Sequence, residues 1–165
     1  MINLRFLKSL IPYIIIITIV VIVRTYIVTP VRVNGTSMYP TLNGGEIMLL
    51  NKLGKIERNK IVVLKLERDK ENLIKRVIGL PGETIEIHNN KIFINGEEFP
   101  DPYGDGYTFS HNFTELTLGD DEYLVLGDNR ENSLDSRVLG AIKKQDIKGT
   151  TNFIMYPFRN FGKVE

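Results

Sequence analysis

The chain has 165 residues, of which 21 are basic and 20 acidic, and it contains no cysteine. A formal net charge of +1 argues against an electropositive surface that grips nucleic acid. The lack of cysteine excludes disulfide bonds, thiolate catalysis and most structural zinc sites. Beyond an apolar N-terminal stretch, roughly 135 residues remain, which suits one modest domain.

The apolar stretch runs from Leu10 to Val23 and consists mainly of isoleucine and valine. Its extension past Arg24 to Val28 reaches about the 20 residues that a membrane-spanning helix needs. The long stem of Arg24 allows its guanidinium to reach the lipid headgroups. We therefore predict a transmembrane signal-anchor helix over residues 10–28, preceded by a short segment of residues 1–9.

Two other interpretations of the apolar stretch fit less well. A cleaved secretory signal needs small residues at its cleavage site, whereas Arg24 to Pro30 offers bulky and β-branched ones. A buried core helix needs a polar face to meet water, and Leu10 to Val23 has none. The charges flanking the stretch are balanced, so they do not decide its orientation in a membrane.

A candidate nucleophile follows the apolar stretch. Ser37 lies between Gly35 and Pro40 in the segment from Val33 to Thr41. A serine hydroxyl is a weak nucleophile until a neighbouring base removes its proton. If Ser37 is the nucleophile, another part of the chain must supply that base.

Short runs rich in valine, isoleucine, leucine and tyrosine, separated by turn residues, predict a mainly β domain. Asn89-Asn90 and Asn95-Gly96 are hairpin signals because asparagine and glycine tolerate positive φ, which predicts a three-stranded meander from Thr84 to Phe99. Pro100 to Asp121 has no regular pattern and suggests a small lobe or a flexible flap. The predicted strands are Glu46 to Leu50, Ile61 to Leu66, Leu73 to Ile78, Thr84 to His88, Lys91 to Ile94, Glu122 to Leu126 and Thr151 to Tyr156.

Lys75 is the first candidate for the base. Alternation along Leu73 to Ile78 places Lys75 between apolar neighbours. Burial disfavours an ammonium and lowers its pKa, which can make a lysine a neutral base near physiological pH. The alternative is that Lys75 and Arg76 form an exposed basic pair on an edge strand.

A second polar segment, Gly127 to Arg137, is too varied for a simple turn, and we call it the polar stretch. Ser133, Asp135 and Arg137 lie two residues apart, so an extended or loosely wound backbone could present all three to one side. An Asp135–Arg137 pair would hold the segment and leave Ser133 free to contact a base. The alternative is a solvated loop with local side-chain turns.

Other catalytic groups are less well placed. No local pattern places His88 or His111 beside Ser37, so a histidine-based triad lacks support. Two histidines without cysteine make a zinc site a poor fit, although an all-carboxylate metal site stays open.

The three segments in this order after an anchor resemble the bacterial type I signal peptidases, also called leader peptidases, in their short Gram-positive form. Gly35 to Thr41 matches the family's nucleophile segment, and Lys75 to Gly82 matches its lysine segment. The polar stretch matches a third segment of the family through Gly127 to Arg130 and Ser133 to Arg137. The resemblance covers nearly the whole chain.

The resemblance implies a Ser-Lys dyad in which Lys75 removes the proton of Ser37. Ser133 would orient Lys75, while Asp135 and Arg137 would brace the loop. It also implies a coiled antiparallel β-sheet, or partly open barrel, as the catalytic domain. The positions that match the pockets for small substrate side chains are Met38, Leu42 and Ile74.

The resemblance also implies substrates and a location. The substrates would be secretory preproteins cleaved after small residues, typically Ala-x-Ala. Residues 29–165 would form an extracytoplasmic peptidase domain with a small irregular lobe around residues 100–120, and the N-terminus would face the cytoplasm. The partners would be the phospholipid membrane and, nearby, the protein-export channel, with no nucleic acid and no metal or organic cofactor.

The chain departs from the family pattern at two positions. Gly35 stands where longer Gram-negative members have a serine that helps to bind the oxyanion, and a glycine has no hydroxyl to donate. Glu83 stands where many members have aspartate, which keeps the negative charge.

Two other functions stay open from the sequence. One is a self-cleaving Ser-Lys repressor peptidase, although such a protein would carry a DNA-binding domain in place of the anchor. The other is a catalytically inactive, membrane-tethered β module that only binds exported chains.

Overall fold

A computed structural model describes residues 4–66, 72–104 and 113–164. It begins with the apolar helix α1, Leu4–Ile22, which continues as a π-helix over Val23–Ile27. The candidate membrane span is Ser9–Ile27, with a mean hydropathy of 2.3 and none of it buried against the domain. The helix therefore begins earlier than expected and contains Pro12 in its interior, and Val28 already belongs to the first strand.

The domain after α1 has twelve strands within the described residues, and all of their pairings are antiparallel. Several bounds agree closely with the sequence prediction, such as Thr84–His88, Lys91–Ile94 and Glu122–Leu126. The strands are β1 Val28–Arg32, β2 Ile47–Asn51, β3 Ile61–Leu64, β4 Leu73–Gly79, β5 Thr84–His88, β6 Lys91–Ile94, β7 Glu97–Phe99, β8 Phe113–Thr117, β9 Glu122–Leu126, β10 Ile142–Lys143, β11 Ile147–Tyr156 and β12 Gly162–Lys163.

The larger sheet has the strand order β1-β2-β11-β3-β4-β9-β10, and β12 pairs with β11. The last long strand of the chain, β11, thus lies between β2 and β3, and register shifts interrupt its pairing with both. Such irregularities bend a strand and increase its twist. The larger sheet is curled, which confirms the expected mainly β, coiled antiparallel architecture.

The smaller sheet has the order β7-β6-β5-β8. It contains the predicted meander, and Asn89, Asn90, Asn95 and Gly96 all have positive φ at its turns, as the hairpin signals require. Residues 113–117 were expected to be irregular, but they form β8 and pair with β5. Local pattern misses this strand because its partner lies about 30 residues earlier in the chain.

Three apolar clusters of described residues form the core, and β4 contributes to all of them. Ile74 packs in the first cluster, Ile78 in the second and Val77 in the third. The strand is therefore buried on both faces and lies between β3 and β9. The interpretation of Lys75 and Arg76 as an exposed pair on an edge strand is wrong, because these residues are only 2% and 1% exposed.

The polar stretch is not extended at its end. Ser136–Leu139 forms the short helix α2, and Asp135 is its N-cap residue. The side chain of Asp135 accepts a hydrogen bond from the Arg137 amide at 3.3 Å, which is the usual reason that aspartate begins a helix. The prediction of an extended or loosely wound backbone did not include this capping geometry.

Candidate active site

Ser37 lies in a loop of residues 33–42, which we call the nucleophile loop. The Val33 amide donates to the Glu46 carbonyl at 2.8 Å, which continues the pairing of β1 with β2 into the loop. Met38 and Leu42 are buried, and the Leu42 amide donates to the Met38 carbonyl at 2.8 Å to close a single turn. The loop is thereby fixed in the core on one side of Ser37, while Ser37 itself is half-buried.

Lys75 approaches Ser37 from the centre of β4. Its Nζ lies 2.7 Å from Ser37 Oγ and donates to the Ile74 carbonyl oxygen at 2.9 Å. The pKa of Lys75 is lowered from 10.5 to about 8, mainly because the residue is buried. Asp135 and Asp128 raise this pKa, whereas Arg137 lowers it. A substantial neutral fraction near pH 8 can therefore act as a base at hydrogen-bonding distance from the hydroxyl.

The polar stretch holds the nucleophile loop from the other side. The Asn129 amide donates to the Ser37 carbonyl at 3.0 Å, and the Asn129 side chain donates to the Thr36 carbonyl at 3.2 Å. Asn132 Nδ2 donates to Thr36 Oγ1 at 3.1 Å. Two segments that are distant in the sequence are thus joined around the Ser37 backbone.

Asp135 is buried and organises the polar stretch. It accepts hydrogen bonds from the Gly127 amide at 3.0 Å and from Arg137 Nε and Nη2 at 2.8 Å each. The paired guanidinium compensates the buried carboxylate. The Asp135–Arg137 pair expected from the sequence is present, and it links the helix cap to the residue after β9.

Similarity to known proteins identifies the family of this chain. The family described as signal peptidase, peptidase S26, matches residues 5–156. The chain belongs to the signal peptidase family. It is accordingly a peptidase, as the three sequence segments implied.

Individual members of the signal peptidase family are similar over most of the chain. Signal peptidase I of Bacillus amyloliquefaciens is 39% identical over 166 residues, covering 92% of this chain and 89% of that protein. Signal peptidase I S of Bacillus subtilis is 39% identical over 158 residues, covering 87% of this chain and 85% of that protein. Signal peptidase IB of Staphylococcus aureus is 36% identical over 161 residues, covering 85% and 84%.

A solved structure in the signal peptidase family has the same fold. The crystal structure of a signal peptidase I from Enterococcus faecalis aligns with a TM-score of 0.50 and 30% sequence identity. The alignment covers 58% of this chain and 96% of that one.

Ser133 lies beside the active site without the hydrogen bond expected of it. Its Oγ is buried and has no hydrogen-bond partner within the described residues. It fills the space next to Gly127, because a Cβ added at Gly127 would clash with Ser133 Oγ and with the Ser37 carbonyl oxygen. The structure therefore brings Ser133 to the site, while its role in orienting Lys75 stays a prediction.

The structure brings together the three residues expected to line substrate pockets. Met38, Leu42 and Ile74 are buried in one apolar cluster. Met38 and Ile74 are the chain neighbours of Ser37 and Lys75, respectively, so the cluster adjoins the Ser37–Lys75 pair. Their contact with substrate stays a prediction.

Gly35 has a φ of 74°, and no atom lies within 4 Å of a Cβ built on it. Open space is therefore available, but its left-handed backbone conformation favours glycine over a residue with a Cβ. This explains why a glycine suits the position in this chain.

A buried ion pair at Arg76, the residue after Lys75, was not predicted from the sequence. Arg76 Nε and Nη2 donate to the two carboxylate oxygens of Asp128 at 2.9 and 2.7 Å, and Arg76 Nη1 donates to the Asn59 carbonyl at 2.7 Å. The Tyr103 ring lies 3.4 Å from the Arg76 guanidinium carbon. A charged residue within an otherwise apolar central strand was the available signal, but its partner is 52 residues away.

A second ion pair connects the polar stretch to the start of the irregular region. Arg130 is buried, bonds both carboxylate oxygens of Asp101 and donates from Nε to the Gly127 carbonyl at 3.0 Å. Glu83, where the family pattern predicted aspartate, accepts hydrogen bonds from Arg58 and the Leu80 amide and so stabilises the turn after β4.

The remaining candidate groups do not converge on Ser37. His88 stacks on Phe93 in the β5–β6 hairpin, and His111 lies outside the described residues. Among residues 4–66, 72–104 and 113–164, no group of three or more histidine, aspartate or glutamate side chains could hold a metal ion.

Proposed function

We propose that this chain is a membrane-anchored serine endopeptidase that removes N-terminal signal peptides from exported preproteins. Ser37 is the nucleophile and Lys75 is the general base. The observation that carries the proposal is the 2.7 Å separation of Lys75 Nζ and Ser37 Oγ, at a lysine that is 2% exposed and has its pKa lowered to about 8.

The first half of the reaction forms an acyl-enzyme. Neutral Lys75 accepts the Ser37 proton while Ser37 Oγ attacks the scissile carbonyl carbon. The resulting ammonium then donates that proton to the leaving amine as the peptide bond breaks. The hydrogen bond from Nζ to the Ile74 carbonyl supports this role because it restricts the direction of the amine.

The second half of the reaction hydrolyses the ester. Lys75, neutral again, removes a proton from water as the water oxygen attacks the ester carbonyl carbon. The ester bond then breaks, Lys75 returns that proton to Ser37 Oγ, and the signal peptide leaves as a carboxylic acid that ionises in water. The backbone amide of Ser37 donates to the oxyanion in both halves. Because Gly35 offers no hydroxyl, a further donor must come from another amide or from water, since one donor is worth about 100-fold or more in rate.

Substrate selection rests on the apolar cluster beside the dyad. Met38, Leu42 and Ile74 form part of one apolar cluster, and we propose that the small side chains of an Ala-x-Ala site pack against it. Ser37 follows β1, the first strand in the sheet order, so an extended substrate can add its backbone next to the active site.

The polar stretch supports the dyad. Asp135 and Arg137 brace the loop through their buried pair, and Ser133 acts on the orientation of Lys75 from its place beside Gly127. Asp135 also opposes the burial effect on Lys75, which keeps the pKa of the lysine from falling further.

The apolar helix supports a location at a membrane, and the proposed orientation rests on the family resemblance, because the flanking charges do not decide it. In this proposal Ser9–Ile27 spans the cytoplasmic membrane once, with the N-terminus inside and the β domain on the extracytoplasmic face. Preproteins emerging near the export channel are cleaved there. The reaction needs no metal or organic cofactor, because the serine and the lysine supply both nucleophile and base.

The test uses the purified full chain in detergent with a preprotein carrying an Ala-x-Ala site. Ser37→Ala and Lys75→Ala should each lower the cleavage rate by about 1,000-fold or more. Lys143→Ala, at the exposed far edge of the sheet, is the matched control and should cleave normally. Cleavage that persists in either dyad variant would overturn the mechanism, and binding without cleavage by the wild type would favour an inactive binding module.

A further inference from the structure

The backbone amide of Ser37 lies between two carbonyl groups that are both held by hydrogen bonds. The Thr36 carbonyl accepts from the Tyr39 amide at 3.0 Å and from Asn129 Nδ2 at 3.2 Å. The Ser37 carbonyl accepts from the Asn129 amide at 3.0 Å. Within the described residues, the Ser37 amide itself donates to no protein group. A donor of this kind beside a nucleophile is available to the negative oxygen of a tetrahedral intermediate.

The peptide group between Thr36 and Ser37 carries both the held carbonyl and the available amide. It is a trans peptide, so it is planar and its C=O and N–H bonds point in opposite directions. A donor that fixes the direction of the Thr36 carbonyl therefore also fixes the direction of the Ser37 N–H bond. Donation to the carbonyl also polarises the peptide group, which makes its N–H a stronger donor.

Asn129 restrains Ser37 through both of the neighbouring peptide planes. Its side chain holds the plane before Ser37, and its backbone amide holds the plane after it. These two planes define the backbone angles φ and ψ at Ser37, and with them the direction of the side chain that carries the hydroxyl. The bond from Tyr39 fixes the nucleophile loop only against itself, whereas Asn129 fixes it relative to the polar stretch.

The orientation of the Asn129 side-chain amide is determined at both of its ends. Its Oδ1 accepts from the Asn132 amide at 3.3 Å while its Nδ2 donates to the Thr36 carbonyl. A rotation of the amide by 180° would place oxygen against the carbonyl and nitrogen against an N–H group, and both bonds would be lost. The donor of Asn129 therefore faces Thr36.

Buried ion pairs hold the backbone on either side of Asn129. Asp128 pairs with Arg76, and Asp128 is only 1% exposed. Arg130 pairs with Asp101 and is also 1% exposed. Breaking a buried pair leaves an uncompensated charge and is strongly destabilising. Asn129 thus has a fixed backbone from which it can hold the nucleophile loop.

We propose that Asn129 is a positioning residue for the oxyanion: by holding the Thr36 carbonyl, its side chain aims the Ser37 N–H at the scissile carbonyl oxygen as that oxygen becomes negative. This inference rests on the proposed function, because it assumes that Ser37 attacks a carbonyl group. Gly35 has no hydroxyl to donate, so the Ser37 amide carries more of the stabilisation and its direction matters more.

The first experiment measures kcat and KM of Asn129→Ala and Asn129→Leu with a soluble Ala-x-Ala peptide, using the full chain in detergent. Both variants keep the backbone amide of residue 129, and leucine also keeps most of the side-chain bulk. Each should lower kcat by about ten-fold or more and change KM by less than about three-fold, because a misdirected donor weakens the transition state more than the bound substrate. A wild-type kcat in Asn129→Leu would overturn the proposal.

Asn132→Ala is the matched comparison. Asn132 Nδ2 donates to Thr36 Oγ1 at 3.1 Å, so it joins the same two segments without holding the peptide plane. We expect its kcat to fall by no more than about three-fold. An equal fall in Asn132→Ala and Asn129→Ala would show that any link between the two segments suffices, which would overturn the role of the peptide plane.

The second experiment uses a peptide aldehyde, because its inhibition depends on the oxyanion contact. Ser37 Oγ adds to the aldehyde carbon, its proton passes to Lys75, and the former carbonyl oxygen becomes negative. The corresponding peptide alcohol cannot undergo this addition. Asn129→Ala should weaken inhibition by the aldehyde about ten-fold or more and inhibition by the alcohol less than about two-fold. Equal weakening of both inhibitors, or of neither, would overturn the proposal.

The pH profile separates a positioning role from an effect on the base. Asn129 is not among the groups that shift the pKa of Lys75, so kcat/KM of Asn129→Ala should keep the inflection of the wild type near pH 8. Thermal unfolding shows that the variant is folded in the assay. An inflection displaced from that of the wild type would mean that Asn129 acts through Lys75 and would overturn the proposal.

The wild type and Ser37→Ala distinguish failure of this inference from failure of the proposed function. If the wild type cleaves the peptide and Ser37→Ala does not, the proposed function is supported, and Asn129 variants that cleave normally would then overturn this inference alone. A wild type that cleaves no peptide would refute the proposed function and this inference with it.

Discussion

At the scale of single residues, the proposed mechanism depends on how the fold changes the chemistry of Lys75. A lysine in water is charged at neutral pH and cannot accept a proton from serine. Removal from water lowers its pKa to about 8, even though Asp135 and Asp128 act in the opposite direction. Desolvation therefore outweighs the attraction of two nearby carboxylates.

The pH dependence of cleavage follows directly. The base form of Lys75 is the neutral one, so kcat/KM for a peptide should rise about ten-fold per pH unit below 8 and level off above it. The measurement is kcat/KM from about pH 6 to 10, with circular dichroism at each pH to show that the domain stays folded. A decline above neutral pH in a folded protein would contradict a lysine base.

The lowered pKa of Lys75 also predicts that the free energy of unfolding changes with pH. The pKa of Lys75 is about 8 when folded and 10.5 in the reference state, so charged Lys75 disfavours folding below pH 8, and this cost is relieved as pH rises from 8 to 10.5. Lys75→Met should raise the free energy of unfolding at pH 7 by about 1–3 kcal/mol, less whatever the Ser37 contact contributes. Urea unfolding at pH 7 and pH 10 measures the free energy of unfolding of both proteins. A Lys75→Met variant that is less stable than wild type at pH 7 would contradict a destabilising charge at Lys75.

At the scale of elements, β4 and the polar stretch form the support of the dyad. β4 carries both Lys75 and Arg76, and the polar stretch supplies Asp128 and Asp135 beside them. The Arg76–Asp128 pair is almost fully buried, so loss of one partner would leave an uncompensated charge in the core. Adjacent residues of one strand therefore make different contacts, with Lys75 facing Ser37 and Arg76 pairing with Asp128 of the polar stretch.

Substitution of Gly127 tests how closely the polar stretch must pack against the nucleophile loop. Gly127→Ala would push a methyl group against Ser133 Oγ and the Ser37 carbonyl oxygen. We expect kcat to fall by about 100-fold or more, because small displacements of a nucleophile have such effects, while the unfolding free energy falls by only about 1–3 kcal/mol.

Gly119→Ala is the control for Gly127→Ala, since its methyl group would meet only the flexible Glu122 side chain at 3.3 Å. Peptide cleavage and thermal unfolding are measured for both variants. Equal activity in the two would show that the close contact at Gly127 does not position Ser37.

At the scale of the whole molecule, β11 joins the two halves of the candidate active site. Ser37 follows β1, which pairs with β2, whereas Lys75 lies on β4, which pairs with β3. The strand between β2 and β3 is β11, from the C-terminal part of the chain. We therefore expect the approach of Lys75 to Ser37 to depend on β11, Ile147–Tyr156, which is synthesised long after Lys75.

Thr151→Pro tests this dependence on β11. Thr151 is buried, pairs with Leu50 and Ile61 and donates from Oγ1 to the Leu49 carbonyl at 3.0 Å. A proline there should cost about 3 kcal/mol or more, so activity and the cooperative thermal transition should be lost together. Asn152→Ala, at the exposed neighbouring position, should retain both; a stably folded but inactive Thr151→Pro protein would contradict a purely structural role of β11.

Local features of the sequence determined much of this protein. The apolar helix follows from uninterrupted hydrophobicity, and the β5–β6–β7 meander follows from asparagine and glycine at positive φ. These features depend on neighbouring residues, which is why period and turn chemistry predict them. The candidate dyad was also accessible from sequence, but only through resemblance to a family, because no local rule brings Ser37 to Lys75.

Only the tertiary structure decided how the site is supported. It placed Lys75 in the centre of a sheet instead of at an edge, paired Arg76 with Asp128, began a helix at Asp135 and left Ser133 Oγ without a hydrogen-bond partner among the described residues. Each outcome depends on segments that are distant in the chain, or on capping geometry that strand-like spacing does not reveal. Burial and charge pairing are properties of the assembled sheet, so the basicity of Lys75 is set by the fold and not by the residues next to it in the sequence.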